Sequence, residues 1–150
     1  MDLASNLPVI LPLATEWADE RSAEIQTHGS ALNNQGIELA KKVGVSYPEK
    51  VKVMEVPTLP MPSNPILKEA ALSTGLLGPN TIGLTLGHSI YICSGRMTKR
   101  LLSHELRHVH QYERHGSISR FLTEYLSQIA THGYNEAPLE IDARAHEIHT

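Results

Sequence analysis

Apolar residues recur along most of this chain at intervals of three and four, and in two stretches at intervals of two. Helices interrupted by a few strands are therefore expected. Leu13, Trp17, Arg21, Ile25 and His28 share one face of a first helix that Gly29 closes. Ile37, Leu39, Ala40 and Val43 outline a second between the cap signal Asn33-Asn34 and Gly44. Trp17 and His28 read as packing residues, because no chemical partner accompanies either. Val51, Val53 and Val56 mark a strand behind the turn Tyr47-Pro48. Pro57, Pro60, Pro62 and Pro65 then form a stiff linker that no sheet interior would accept, and a short helix from Ile66 to Leu72 follows.

Ile82, Leu84 and Leu86 alternate with Thr81, Gly83 and Thr85, and Ile90 and Ile92 come next. A three-residue hairpin loop, Gly87-His88-Ser89, would set Leu86 opposite Ile90 and Leu84 opposite Ile92, giving one apolar face; a single long strand has the same period. A helix is then expected from the cap Thr98 to Gly116, with Leu102, Leu106, Val109 and Tyr112 as its buried stripe. Another, capped by Ser117, carries Ile118, Phe121, Leu122, Tyr125, Leu126 and Ile129 and ends at Gly133. A last helix begins at Pro138 and runs toward Thr150. With no repeat and no linker at a domain boundary, residues 1–150 read as one α+β domain. Its small sheet of about three strands, antiparallel or mixed, packs against helices.

At 150 residues and 41% hydrophobic the chain can bury one core. The net charge of −3, with no basic stripe interleaved with aromatics, argues against nucleic acid as a partner. Cys93 has no second cysteine to pair with and follows an apolar run, so a buried thiol is expected. The segment Leu7 to Ala14 is short and broken by Pro8 and Pro12, no positive cluster precedes it, and no run approaches membrane-spanning length. The expected setting is cytoplasmic, with no membrane partner.

The chemistry concentrates in His104-Glu105-Leu106-Arg107-His108. Residues four apart on a helix lie about 40° apart in projection, so His104 and His108 can address one metal ion. Glu105, about 100° from His104, can flank that ion without ligating it and act as base toward its water. A catalytic zinc wants three protein ligands and an open position. His110 points away from the pair, His115 and His132 look like C-terminal helix cations, and His146 and His149 would reach only if the last helix packs closely. The stronger candidates are Glu140, in the first turn of the last helix, and then Glu136 in the loop before it, since a helix–turn–helix returns that helix to the motif.

Residues 101–111, the segment Gly83 to Ile92 before them, and Phe121 to Leu126 with Gly133-Tyr134…Pro138-Leu139-Glu140 after them match a pattern in order. It resembles the small bacterial gluzincin-type (minigluzincin-like) metallopeptidase domains. The resemblance spans roughly residues 80–147 and implies a zincin-like fold. It also implies a Zn2+ site from His104, His108 and Glu140 with Glu105 as general base, and a peptide or protein substrate. Larger gluzincins carry an aspartate four residues after the ligand glutamate. Position 144 here is Arg, and Asp142 is the nearest acid to orient a ligand histidine. The competing expectations are a catalytically silent zinc-binding interaction module and a metal-free helical binding domain.

Overall fold

The computed structural model describes residues 2–149. The elements in chain order are α1 (Leu3–His28), β1 (Ser30–Ala31), α2 (Asn34–Lys42), β2 (Lys52–Val56), α3 (Pro65–Thr74), β3 (Gly83–Leu86), β4 (Ser89–Cys93), α4 (Lys99–His115), α5 (Ile118–His132) and α6 (Pro138–Ala145). A single 3-10 turn at Pro48–Lys50 leads into β2. The class is α+β, as expected, but the sheet has four strands in the order β1-β2-β4-β3. It is mixed, with β2 and β4 parallel and the other pairs antiparallel. The added strand, β1, is two residues long, too short for any periodic signal.

The helix boundaries follow local chemistry. Side chains of Asn33, Asn64, Thr98 and Ser117 accept hydrogen bonds from the free N–H groups of α2, α3, α4 and α5. Gly116 ends α4 at φ 88°, a conformation that glycine adopts at least cost. Helix α1 begins about ten residues earlier than its Leu13 stripe suggests and contains Pro8 and Pro12. Both prolines are exposed, so water can satisfy the carbonyls left without a helical partner, while Leu3, Ile10, Ala18 and Ile25 remain buried on the opposite side. His28 is exposed, contrary to the packing role expected for it, whereas Trp17 packs against the core. Cys93 is half-buried rather than buried. Helix α6 ends at Ala145, short of the expected run toward Thr150, which lies outside the described residues.

The hairpin register differs from the expected one. The loop has two residues, Gly87 and His88, with Gly87 at φ 71° in the first central position, as turns of the II′ class require. Leu86 therefore pairs with Ser89, Leu84 with Tyr91 and Thr85 with Ile90. Leu84, Leu86 and Tyr91 face a core built with α1, α3 and α5, while Ile90 and Ile92 face a second core with Leu39 and Ala40 of α2, Val43 just after it, and Leu106 and Val109 of α4. Strand β4 is buried on both faces, so its apolar residues do not mark a single side. None of the described helices is long and apolar enough to cross a membrane.

Burial on both faces has a measurable consequence. Tyr91 and Ile92 are adjacent, point to opposite sides and are each 0% exposed. Tyr91→Ala and Ile92→Ala should each lower the urea-unfolding free energy by about 2–5 kcal/mol, whereas Ile141→Ala, at an exposed position, should stay within about 0.5 kcal/mol. A near-neutral result at either strand position would mean that one face of the sheet is open.

Candidate metal centre

Three elements meet at the motif. Helix α4 carries His104, Glu105 and His108, β3 runs along one flank, and α6 packs on the other after the turn that follows α5. His104 Nε2 lies 3.3 Å from Glu140 Oε1, and His108 Nε2 lies 2.9 Å from Glu140 Oε2. One ligand-type atom from each of the three residues falls within 4.8 Å of the others, close enough to hold one metal ion. Glu140 is 2% exposed and His108 6%. Tyr125, from α5, donates its hydroxyl hydrogen to Glu140 Oε2 at 2.7 Å.

The outer nitrogen of each imidazole has a partner that decides where its proton sits. Glu147 Oε2 is 2.8 Å from His104 Nδ1, and a carboxylate only accepts, so that nitrogen carries hydrogen. Gln111 donates its amide hydrogens to Leu139 O at 2.9 Å and Asp142 Oδ2 at 2.8 Å. Its Oε1 is thereby turned to accept from His108 Nδ1 at 2.7 Å. Both Nε2 atoms are left facing the Glu140 carboxylate, so three groups that naturally accept hydrogen bonds converge on one spot.

Such a cluster demands positive charge. Burial pulls the His104 imidazole down. The hydrogen bond to Glu140, the charges of Glu105 and Glu140 and the bond to Glu147 outweigh it and raise the ring to about 9. The same contest raises His108, where burial is opposed chiefly by the bond to Glu140. Burial would push the Glu140 carboxyl up, but the bonds from His104 and His108 hold it well below the usual carboxylate range. Without a metal ion the imidazoles must take protons to satisfy Glu140; a divalent cation bound by the two Nε2 atoms and the carboxylate supplies that charge directly.

Glu105 stays outside this group. Thr85 Oγ1, on β3, donates to Glu105 Oε1 at 2.7 Å and also lies 3.1 Å from its carbonyl oxygen. Gly83 backs the other oxygen: a Cβ built there would sit 3.0 Å from Glu105 Oε2, closer than such contacts normally run. Next to these groups is a cavity of about 90 Å³. Its walls include Leu84, Tyr134, Ala14, Trp17, Leu67 and Leu122.

The other sequence candidates lie elsewhere. Glu136 is exposed. His110 Nδ1 bonds Gly44 O on the far side of α4, and His115 Nδ1 caps Gln111 O. His146 Nδ1 bonds Asp142 O, and His132 and His149 are exposed. Asp142 touches neither His104 nor His108: it pairs with Arg107 at 2.8 and 3.2 Å and reaches His108 only through Gln111. Thr85, Gln111, Tyr125 and Glu147 escape sequence reasoning. The one local hint was Gln111, three residues past His108 and hence on the same helix face. No protein-family model, characterised protein or solved structure matches this chain.

The geometry predicts metal content directly. His104→Ala, His108→Ala and Glu140→Ala should each weaken metal binding by more than the roughly 10–100-fold that losing an outer partner costs, while His110→Ala and Glu136→Ala should leave it unchanged. Elemental analysis and metal titration of the five purified variants check this. A Glu140→Ala protein that binds as tightly as the parent would remove the carboxylate from the set.

Proposed function

We propose that this chain is a zinc-dependent metallopeptidase of the gluzincin type, zincin-like in fold, in which His104, His108 and Glu140 hold the ion and Glu105 is the general base. The observation that carries the reading is the separation of two carboxylates. Glu140 joins the two imidazoles, while Glu105, one residue from His104, is held back by Thr85. Two imidazoles and one carboxylate suit zinc, and three protein ligands leave a position for substrate and water. When bound, zinc would supply Lewis acidity toward a scissile carbonyl and the water that attacks it.

The remaining steps fall to the chain's own residues. Glu105 takes a proton from the attacking water as the new C–O bond forms, and returns it to the leaving nitrogen as the C–N bond breaks. Thr85 fixes Oε1 and leaves Oε2, over Gly83, as the atom that exchanges the proton. Tyr125 steadies Glu140 from behind. Tyr134 lines the same cavity, and burial and the charge of Glu140 hold its phenol protonated, so it is available as a hydrogen-bond donor to a developing oxyanion. Strand β3 is an edge of the sheet, beside which an extended peptide can lie, and the apolar cavity next to Glu105 suits an apolar side chain near the scissile bond.

Glu105→Gln keeps the shape and removes the base. It should retain zinc and lose peptide hydrolysis by about 10²-fold or more, measured on a peptide-library substrate of the parent with zinc quantified in the same preparation. Cleavage at the parent's rate would discard the mechanism. A zinc-loaded parent that cleaves nothing in a diverse library would turn the reading to a catalytically silent zinc-binding module.

Gly83→Ala tests the base from the other flank. Its methyl group forces the Glu105 carboxylate to move by a fraction of an ångström, so kcat should fall by up to about tenfold, short of the ~10²-fold that a ~1 Å misplacement can cost. Metal content should be unchanged. An unaltered kcat would show that Glu105 works from a different position.

A further inference from the structure

We propose that Glu147, in the segment after α6, is a positioning residue for the metal centre: its carboxylate orients His104 and keeps the proton on Nδ1, so that Nε2 is free to ligate. The inference rests on the metal-site reading above. Glu147 lies beyond the last helix, which ends at Ala145, and its N–H bonds Arg144 O. The motif's spacing therefore says nothing about it. Its carboxylate is nevertheless held by α4 on two sides, with Oε2 2.8 Å from His104 Nδ1 and Oε1 2.9 Å from Arg100 Nε.

The backbone around Glu147 is tied to the same helix. Ile148 N–H donates to the hydroxyl of buried Ser103 at 2.8 Å, and the Ile148 side chain packs on the second core. The segment after α6 is thus seated one residue away from His104 along α4. The ion pair with Arg100 does not explain this seat, because the Arg100 side chain is 65% exposed and such pairs contribute little. The bond to His104, whose partner atoms are largely enclosed, is the better reason. It also makes the two ligands unequal. His108 donates to a neutral amide and His104 to a carboxylate, which makes His104 the more basic ligand.

The test is a zinc titration against a competing chelator for the parent, Glu147→Ala and Glu147→Gln, with metal-free melting temperatures and side-chain ¹⁵N spectra of the zinc-loaded proteins. Glu147→Ala should weaken zinc binding by about 10–100-fold. Glu147→Gln, whose amide oxygen still accepts from Nδ1–H, should recover most of that loss. The protected Nδ1–H resonance of His104 should be present in the parent and the Gln variant and absent in the Ala variant. Parent-like affinity in Glu147→Ala overturns the assignment while leaving the metal site standing. So do equal losses in both variants that track a fall in metal-free melting temperature, since a merely structural role gives that pattern. A parent that binds no zinc overturns the metal-site reading itself, and this inference with it.

Discussion

Leu106 and Val109 of α4, buried in one cluster with Ile90 and Ile92 of β4, set the roll of the motif helix about its own axis, and the polar contacts this helix makes in the site follow from that roll. Taking His104 as the origin, these two core residues lie about 140–200° around the helix. Glu105 and Tyr112, at about 80–100°, then face β3, and both bond to Thr85. His104 and His108 come next, at about 0–40°, and Arg107 and Gln111 turn to Asp142 of α6. Rotating the helix by one residue would, depending on its sense, turn a core side chain toward the site or a histidine toward the core.

That packing forces ionisable groups out of water. Glu140 and His108 are almost wholly enclosed, and neither could stay there alone as a charge. The structure resolves this by giving each group a partner on both sides: Tyr125 and the imidazoles for Glu140, Gln111 and Glu140 for His108, Glu147 and Glu140 for His104. Fully satisfied buried networks of this kind hold their members in one geometry, which is the condition for a site that binds without first reorganising.

The features legible in the sequence are those whose causes are local. Asn33, Thr98, Ser117 and Gly116 bound their helices through contacts only a few residues long. The H-E-x-x-H spacing orders three side chains on one helix, and Glu140 was within reach because α5 and α6 form a tight return. The hairpin register was not legible. Its alternation looked like one apolar face, but β4 is covered on both sides and the loop has two residues, not three. The first turns of α1 were hidden behind Pro8 and Pro12, which read as breaks until their exposed positions are known. Thr85 and Glu147 reach the motif helix from across the fold, and a threonine in a strand or a glutamate beyond a helix carries no mark of what it will meet.

Helix α6 has eight residues and no side-chain N-cap, too little to persist by itself. Its hold on the molecule comes from Ala143 in the core and from the acids it presents to α4. A cation shared by His104, His108 and Glu140 would therefore cross-link two distant stretches of chain and close a loop containing the whole of α5, much as a covalent staple does. Occupancy and the docking of α6 would then be one equilibrium, with the free metal concentration setting how often that helix is released to proteases.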